Sequence, residues 1–422
     1  LTLTGDLDLN ASIGNSPGAT SISVSGAADL GDDVETTGTQ TYSGAVTISA
    51  DGITLTTADS QITFGDSVNS TASQAYALNI DVGTSEVEFD GIIGSGINGS
   101  LGAIAITGDL DLDAELASAT SINVSLVSDL AANVTTSGAQ TYTGNATIST
   151  DVTLTTTNSN VTFSGTTDAG TAGDALTIAA GSGDVTFTGA VGGSTALGNT
   201  TITTGALSAA AMTVQGTMDI TNTSASSITG VIADGASAAT LTKAGSGTLT
   251  LSGTNTYTGQ TNINAGTLAV TVNDALGTNA AATVIASGAT LDLQNVTYST
   301  TEAITNSGTL STSTGTSSYA GTMTLGADST IDVDGTQLTI STAIGDGGNA
   351  YAITKAGAGT LTLSNTNTFS GDLTISAGTV TMTGTLADTV DVVNSGTYDV
   401  DTSDTIQSLS GSGNVEIDTG VT

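Results

Sequence analysis

Apolar and polar residues alternate along most of the chain in short runs, and Gly, Asn, Asp or Ser separates one run from the next. Thr248-Leu249-Thr250-Leu251 and Thr267-Leu268-Ala269-Val270 are two such runs. Alternation with a period of two places one side of a strand in a core and the other side in water. The β-branched residues that fill the runs also suit strands. The pattern therefore predicts an all-β protein made of many short strands.

The spacing of equivalent apolar positions indicates how these strands are arranged. Leu249, Leu268 and Leu291 are three such positions in succession along the chain. Their spacing of roughly 20 residues fits one coil of a β-solenoid, in which each coil supplies strands that stack on the next coil. Gly at the corners provides the positive φ angles that β-branched residues avoid. We therefore expect a right-handed parallel β-helix.

Longer repeats are superimposed on this pattern. The run Gln40-Thr41-Tyr42-Ser43-Gly44 returns three times, in copies that begin at Gln140, Asn255 and Asn367. Internal repeats with a period of roughly 100 residues predict four long units. These units form two subfamilies, at residues 1–205 and 206–422. Because no Pro-rich or charged linker separates the halves, we expect one continuous fold.

Two other kinds of structure compete with the solenoid. Repeats of about 100 residues have the size of an immunoglobulin-like sandwich domain. The chain has no Trp, its single Pro is Pro17 and its strands are very short, which favours the solenoid. High acidity with few aromatic residues is also typical of disorder. The period-two order and the thin spread of the acids favour a folded chain.

One motif in the second subfamily resembles a known repeat family. The run that starts Leu241-Thr242-Lys243-Ala244-Gly245 and ends at Leu268 is similar to the autotransporter-associated β-strand repeat. The run from Ile353 to Val380 carries the same element, whereas residues 1–205 keep only its Tyr-Ser/Thr-Gly part. The resemblance implies a Gram-negative origin, export, a right-handed parallel β-helix, and an adhesive or structural role at the cell surface.

The charge of the chain restricts its partners. Lys and Arg number 2 against 39 Asp and Glu, which gives a formal net charge of −37. Nucleic-acid binding needs clustered basic residues, and anionic membranes repel such a surface, so we expect neither partner. No apolar run approaches the roughly 18 residues that span a bilayer, and no membrane insertion is expected. The chain opens directly at Leu1 without a signal peptide, so we expect a segment of a longer precursor.

The missing residue types exclude most catalytic chemistry. Without His, Cys or Arg the chain cannot build a Ser-His-Asp or Cys-His site, a zinc site with nitrogen or sulfur ligands, or a bidentate phosphate clamp. A pair of carboxylates, as in glycoside hydrolysis, is the remaining route. We therefore predict that the protein is not an enzyme and that it has no catalytic, cofactor-binding or metal-binding residues.

Glu86, Glu88 and Asp90 are the clearest candidates for such a pair, because they alternate along one strand face. The next repeat has Asp184, Thr186 and Thr188 at the matching positions, whereas Val87 and Phe89 persist there as Val185 and Phe187. The loss of two acids beside a retained apolar pair indicates a solvated outer face over a core.

Closely spaced aspartates offer a second candidate site. An Asp-x-Asp strand places two carboxylates on one side, within reach of a hard cation such as calcium. A solvated acidic face is the alternative that we favour, and weakly bound surface Ca²⁺ is the only cofactor considered. The residues concerned are Asp6, Asp8, Asp109, Asp111, Asp113, Asp332, Asp334, Asp399 and Asp401.

The two cations and four aromatic residues recur at fixed places in the repeats. Lys243 and Lys355 either form a salt bridge to an acid of a neighbouring coil or record the duplication of one ancestral unit, and we favour duplication. The aromatic residues are predicted to pack in the core or at a corner rather than to form a binding stripe. They are Tyr42, Tyr142, Tyr257 and Phe369.

These observations favour an extracellular structural protein of the bacterial surface, such as a fibre, a sheath, an S-layer component or a stalk. An adhesin that binds glycans or proteins is the alternative, and a tailspike-like glycosidase is a third hypothesis. Exposed strand edges pair with other chains unless they are capped, and no polar cap is evident at Leu1 or Thr422. We therefore expect either continuation in a longer chain or end-to-end self-association.

Overall fold

All regular elements are β-strands in a computed structural model that describes residues 1–14, 19–95 and 99–422. Pro17 lies outside the described residues. The chain forms two compact units, residues 1–215 and 216–422, and about 19 coils are distributed over them. Among the described residues, no helix is long and apolar enough to cross a membrane.

Unit 1, residues 1–215, contains strands that are mostly very short, as the short alternating runs predict. The strands are β1 (Thr2–Leu3), β2 (Leu7–Leu9), β3 (Ile22–Val24), β4 (Ala28–Leu30), β5 (Val34–Glu35), β6 (Gln40–Tyr42), β7 (Val46–Ile48), β8 (Ile53–Thr56), β9 (Ile62–Phe64), β10 (Val68–Ser70), β11 (Leu78–Phe89), β12 (Leu101–Leu112), β13 (Leu116–Val124), β14 (Ser128–Leu130), β15 (Val134–Thr136), β16 (Gln140–Tyr142), β17 (Ala146–Ile148), β18 (Val152–Thr156), β19 (Val161–Phe163), β20 (Thr167–Ala169), β21 (Leu176–Ala179), β22 (Val185–Phe187), β23 (Thr200–Thr204) and β24 (Leu207–Ala209). The boundary between the units falls within β25 (Met212–Asn222).

The strands of unit 1 form three parallel stacks, and the chain visits the stacks in turn. Stack 1 contains β3, β6 and β9 and continues through β14, β17 and β20. Stack 2 contains β2, β4, β7 and β10 and, farther along, β15, β18, β21 and β23. Stack 3 contains β13, β16, β19, β22 and β24. The long strands β11 and β12 turn a corner and contribute to stacks 1 and 3.

Unit 2, residues 216–422, is built in the same way. Its strands are β26 (Ser226–Ile228), β27 (Ile232–Ala244), β28 (Thr248–Leu251), β29 (Thr261–Ile263), β30 (Thr267–Val270), β31 (Thr283–Ile285), β32 (Thr290–Leu293), β33 (Thr297–Tyr298), β34 (Ile304–Asn306), β35 (Thr309–Thr312), β36 (Thr316–Tyr319), β37 (Met323–Leu325), β38 (Ser329–Val333), β39 (Gln337–Ile340), β40 (Ile344–Gly345), β41 (Ile353–Ala356), β42 (Thr360–Leu363), β43 (Leu373–Ile375), β44 (Thr379–Met382), β45 (Asp391–Asn394), β46 (Thr397–Val400), β47 (Ser408–Gly411) and β48 (Asn414–Ile417).

These strands also form three parallel stacks. Stack 4 contains β27, β29, β31, β34, β37 and β40. Stack 5 runs from β26 through β28, β30, β32, β35, β38, β41, β43 and β45 to β47. Stack 6 contains β33, β36, β39, β42, β44, β46 and β48. Each unit is therefore a parallel β-solenoid with three strands per coil.

The register confirms the coil spacing that the apolar positions predict. Leu249 pairs with Leu268, and Leu268 pairs with Leu291, so each of these two intervals is one coil. All three leucines are 0% exposed. Because the strand pairings are parallel, the antiparallel sandwich is excluded as the fold, and the disordered chain is excluded with it. The right hand of the helix stays a prediction.

Inward side chains of successive coils lie directly over one another in the core. In stack 2, Leu154 pairs with Ile178 and Ile178 pairs with Ile202, and none of the three is exposed to solvent. Burying such a side chain contributes about 1.5–3 kcal/mol relative to leaving it in water. The repetition of this contact along each stack stabilises coils whose individual strands are too short to be stable alone.

Equivalent positions of the long sequence repeats lie in different stacks. Tyr42 is in β6 of stack 1, whereas Tyr142, its equivalent in the next long repeat, is in β16 of stack 3. Lys243 is in β27 of stack 4, whereas Lys355 is in β41 of stack 5. The long repeat is therefore not a whole number of coils in either unit, and each copy presents its residues on another face.

Candidate functional site

Asp and Asn side chains at the coil corners accept hydrogen bonds from backbone N–H groups of an adjacent coil. Asp33 Oδ1 accepts from Thr54 N at 2.8 Å. One long repeat later, Asn133 Oδ1 accepts from Thr153 N at 2.8 Å. Because an uncharged amide does at residue 133 what a carboxylate does at residue 33, this bond needs an oxygen acceptor rather than a charge.

We call these contacts corner bonds, and they account for many of the aspartates. Asp is shorter than Glu and more readily adopts the left-handed backbone of a turn. Asp59 has a φ of 52° and Asn158, at the matching place in the next repeat, has a φ of 55°. Further acceptors of corner bonds are Asp6, Asp51, Asp109, Asn145, Asp151, Asn160 and Asp184 in unit 1, and Asp234, Asn273, Asn295, Asp328, Asp346 and Asp404 in unit 2. Asn69, Asp168 and Asp292 accept the same kind of bond from within strands β10, β20 and β32.

Asp234 and Asp346 each accept several hydrogen bonds, and they occupy equivalent places in the two long repeats of unit 2. Asp234 accepts from the backbone N–H and the hydroxyl of Thr258, at 3.1 and 2.7 Å. Asp346 accepts from the backbone N–H and the hydroxyl of Ser370, at 2.8 and 2.9 Å. Burial acts to raise the pKa of Asp346, but hydrogen bonds from Ser370 and Gly348 outweigh it and hold this pKa below its usual value.

Glu86 and Glu88, two of the carboxylate candidates, converge on one amide. Gln61 Nε2 donates to Glu86 Oε1 at 3.0 Å and to Glu88 Oε2 at 2.9 Å. Asp90 follows the end of β11 and is exposed to solvent. The repeat equivalents lie elsewhere, because Thr186 is in stack 3 whereas Glu88 is in stack 1. The apolar pair Val87 and Phe89 is buried, as are its counterparts Val185 and Phe187.

The outer side of stack 1 carries a ladder of acids on successive coils. Glu88 pairs with Asp111, and Asp111 pairs with Asp129. Partial burial, followed by repulsion from Asp113, Glu86, Asp129 and Glu88, raises the pKa of Asp111 to about 6. Among the described residues, no group of three or more His, Cys, Asp or Glu side chains is arranged to hold a metal ion.

In the Asp-x-Asp pair of Asp6 and Asp8, the two carboxylates have different partners. Asp6 Oδ1 accepts from Ala27 N at 2.9 Å, whereas Asp8 Oδ1 accepts from Asn10 Nδ2 at 2.7 Å. Asp109 likewise accepts from Val127 N at 2.9 Å. Asp399 Oδ2 accepts from the hydroxyl of Thr381 at 3.2 Å. Asp6, Asp109 and Asp399 therefore bond adjacent coils, whereas Asp8 bonds within its own segment.

Asp332 and Asp334 lie near Lys355 rather than on an isolated outer face. Burial, then repulsion from Asp334, raises the pKa of Asp332, while the nearby Lys355 acts in the opposite direction. Burial of Lys355 lowers its pKa to about 8, although the same two aspartates act to raise it. The charges of the three side chains are therefore coupled.

Lys243 and Lys355 are fully buried and use their ammonium groups to bind backbone carbonyls. Lys243 Nζ donates to the carbonyls of Ala244, Gly245 and Ala265, at 2.7, 3.0 and 3.1 Å. Lys355 makes the same three bonds to residues 356, 357 and 377, at 2.6, 2.8 and 3.2 Å. A buried ammonium group needs its three donors satisfied, and this carbonyl cage satisfies them without an acid.

A glycine of the next coil closes the cage. Gly266 has a φ of 66°, and a Cβ added there would lie 2.5 Å from the carbonyl oxygens of Gly245 and Gly247 and 3.0 Å from Lys243 Nζ. Sequence reasoning recognised the repetition of the lysine but missed its partners, because backbone carbonyls leave no mark on residue type. The repeated glycines beside each lysine were the signal that could have found them.

The four recurrent aromatic residues lie in the core, as predicted. Tyr42, Tyr142, Tyr257 and Phe369 are 0%, 0%, 1% and 0% exposed. In stack 3, Phe163 lies between Tyr142 and Phe187 with ring centroids 4.9 and 5.2 Å apart. Each tyrosine hydroxyl has a buried partner: Tyr42 and Tyr142 donate to the Oε1 atoms of Gln40 and Gln140, and Tyr257 bonds Thr261.

Unit 2 also contains a buried carboxyl group, Glu302, that the sequence patterns did not indicate. Glu302 is 1% exposed, and its two carboxylate oxygens accept from the hydroxyls of Thr283 and Tyr298. Burial raises its pKa to about 7, although these two hydrogen bonds act in the opposite direction. The hydroxyl of Tyr319 bonds the backbone carbonyl of Glu302.

Two grooves lie beside equivalent segments of the two repeats in unit 2. Each crosses successive coils where regular strands give way to irregular backbone. Groove A has a volume of about 480 Å³ and is lined by residues 254–256, Asp274, residues 277–279 and residues 299–301. Groove B has a volume of about 590 Å³ and is lined by residues 366–368, 385–388, 403–405 and Thr422. The segment 254–256 and the segment 366–368 are both Thr-Asn-Thr and are equivalent in the two repeats.

The central Asn of each segment forms the floor of its groove. Asn255 Oδ1 accepts from Ile232 N at 2.7 Å, and Asn367 Oδ1 accepts from Ile344 N at 3.1 Å. Both amides also donate to backbone carbonyls of the following coil, and both residues are at most 2% exposed. The flanking threonines point outward and are exposed in both segments. This motif and its grooves were not predicted from the sequence.

Comparison with known families identifies a repeat family in unit 2. A family model, the passenger-associated-transport-repeat, matches residues 241–270 and 353–382. Each match begins two positions before a caged lysine and ends with a strand, β30 or β44. The matched segments contain the runs that resemble the autotransporter-associated repeat, so that resemblance is confirmed. Comparisons with curated proteins and with solved structures find no match.

Proposed function

Because the chain is an autotransporter passenger-like repeat protein, we propose that it is a non-catalytic structural protein at the surface of a Gram-negative bacterium. In this role it forms part of a fibre, a sheath, an S-layer or a stalk. Its coils bear load through parallel strand pairing and its acidic exterior keeps it soluble. The passenger-type repeats support location outside the cell.

This proposal rests on one observation: the polar side chains fasten one coil to the next. Carboxylates and amides at the corners accept backbone hydrogen bonds from adjacent coils, and the two lysines are caged by carbonyls. A catalytic carboxylate needs access to a substrate and a proton to exchange. Most corner aspartates instead have a fixed partner in the next coil, which is what a load-bearing solenoid requires.

The last coil of unit 2 supports self-association. In β47 and β48 the inward-type positions Leu409, Val415 and Ile417 are 45%, 43% and 61% exposed. The register places Val415 and Ile417 over Tyr398 and Val400 of the preceding coil. Exposed strand edges of this kind recruit further strands. We propose that either a further coil of the same polypeptide or a second copy of this chain covers them.

An adhesin remains the second candidate, and the two repeat-related grooves are the observation that favours it. Grooves A and B offer polar, solvent-facing surfaces, which a purely load-bearing protein does not need. In this case the solenoid presents ligand-binding surfaces to glycans or proteins of its surroundings.

Electron microscopy of the purified protein, with and without calcium, tests the structural proposal. Uniform filaments or sheets built from this chain are the expected result, and they should persist in a calcium chelator because the coils are joined by strand pairing. Isolated particles of fixed size at all protein concentrations would contradict the polymer and favour the adhesin.

A further inference from the structure

The outward hydroxyls of the two Thr-Asn-Thr segments are presented on rigid backbone. The buried amides of Asn255 and Asn367 each bond the main chain on both sides, so the threonines that flank them have a fixed position. The hydroxyls of Thr254 and Thr256 form no hydrogen bond to other described residues, and neither do those of Thr366 and Thr368. A preformed set of unpaired hydroxyls lowers the entropic cost of binding a ligand.

The remaining lining of the grooves is mixed and includes further polar groups beside Leu386 and Ala387. Asn279, Ser299 and Thr301 contribute amide and hydroxyl groups to groove A. Groove B has Ser403, Thr405 and the exposed carboxylate of Asp388. Both Lys residues of the chain are buried in their cages, so no basic side chain is available to bind an anion at either groove. Repulsion from the acidic surface therefore excludes phosphate and sulfate ligands, while neutral hydroxyl groups meet donors and acceptors of the right kind.

From this arrangement we propose that grooves A and B each bind a short segment of a neutral polysaccharide. Both volumes lie within the range of small-ligand sites. No aromatic side chain lines either groove, so the contacts are hydrogen bonds and the affinity of one groove is low. The inference rests on the adhesin candidate proposed above and names its ligand class, whereas the structural role does not depend on it.

The two grooves open on different faces of unit 2. Groove A adjoins β33, which begins stack 6, whereas Thr368 of groove B bonds Ile344 of stack 4 through its backbone. The rotation follows from the repeat length, which is not a whole number of coils. One molecule therefore contacts two different polysaccharide segments and links them together.

Titration calorimetry of the full chain with cellohexaose, maltohexaose and chitohexaose tests the proposal. We expect saturable binding of at least one of these probes with two sites per chain. In the T254V/T256V variant we expect one site, with at least a tenfold loss of affinity at groove A, and T366V/T368V should have the same effect at groove B. The quadruple variant should bind none of the probes.

Two controls make the outcome decisive. The matched pair Thr314 and Thr316 is exposed but lies outside both grooves, so T314V/T316V should bind like the unmodified protein. Circular dichroism of each variant reports whether the solenoid is retained, and valine has nearly the shape of threonine. The absence of binding to all three probes would overturn the proposal, as would equal binding by the quadruple variant. Binding of dextran sulfate as tight as that of the neutral probes would overturn the charge argument.

Discussion

At the residue scale, the acidic side chains are oxygen acceptors before they are charges. Asp33 and Asn133 occupy the same place in successive repeats and bond the next coil at the same distance. Asp59 and Asn158 show the same exchange, with distances of 2.9 and 3.0 Å to backbone N–H groups. The corner bond thus favours aspartate over glutamate at these corners, in a chain where 33 of the 39 acids are aspartate and six are glutamate.

This interpretation predicts different effects for two substitutions of one aspartate. Asp33→Asn keeps the acceptor, so the free energy of unfolding should change by less than about 0.5 kcal/mol. Asp33→Ala removes it and should lower that free energy by about 1 kcal/mol. Urea titrations followed by circular dichroism measure both changes. Equal losses in the two variants would show that the charge, and not the oxygen acceptor, matters at this corner.

The buried carboxyl group of Glu302 makes stability depend on pH. Its pKa is about 7 in the folded protein, against 4.5 for the ordinary group, so the folded state holds a proton that the unfolded state releases. The contribution of protonated Glu302 to the free energy of unfolding is therefore fully present below about pH 4.5. This free energy falls by about 3 kcal/mol as the pH rises through 7. Asp111, with its pKa raised to about 6, acts in the same direction.

Replacing Glu302 by Gln should remove most of this dependence. Between pH 5 and pH 8 the unmodified protein should lose more stability than Glu302→Gln, which cannot ionise. The exposed Glu416 is the matched control, and Glu416→Gln should keep the dependence of the unmodified protein. Melting temperatures at the two pH values decide the matter, and parallel curves for all three proteins would mean that Glu302 is accessible to water.

At the scale of the element, stability comes from ladders of identical contacts rather than from individual strands. Phe163 shows this, because it is fully buried between two rings that are nearly parallel to its own, with interplanar angles of 16° and 5°. Each strand here is very short, and such a strand is stable only when its neighbours hold it. The stack of rings on adjacent coils, rather than a single strand, therefore stabilises this part of the core.

Truncation of the central ring should therefore be costly. Phe163→Ala should lower the free energy of unfolding by about 3–5 kcal/mol, the range for large buried aromatic residues. Phe163→Leu, which keeps much of the volume, should lose less. Thr162→Ala on the outer side of the same strand serves as the surface control in urea unfolding. A loss in Phe163→Ala no larger than in this control would show that the ring is not in the core.

The strands and their stacking were accessible from the sequence, whereas much of the polar chemistry was not. The period-two alternation gives the strands, and the leucine spacing gives the coil, because both follow from burial along a regular lattice. The lysine cages and corner bonds use backbone atoms as partners, and these are absent from any residue pattern. Glu302 lacked a signal as well, since its partners are two hydroxyl groups, one four residues away in the same coil and the other on the preceding coil.

On the scale of the whole molecule, the mismatch between repeat length and coil length distributes equivalent residues over several faces. The long repeat of unit 1 moves Tyr42 and Tyr142 to different stacks, and the long repeat of unit 2 does the same for the two lysines. Sequence repeats alone would predict that equivalent residues lie on one face of the solenoid. The coil, and not the long repeat, sets the geometry, so surface features recur at rotated positions.

Paired cysteines test the in-register, three-stack solenoid most directly, because the chain has no cysteine of its own. Thr162 and Thr186 are paired on adjacent coils of stack 3, whereas Thr177 lies between them in sequence but belongs to stack 2. Neighbouring strands are about 4.8 Å apart, within the Cα range of a disulfide. On oxidation, T162C/T186C should form an intramolecular disulfide and T162C/T177C should not, as mass spectrometry of the intact protein would show. Disulfide formation by the second pair, without formation by the first, would contradict the fold and the corner bonds that depend on it.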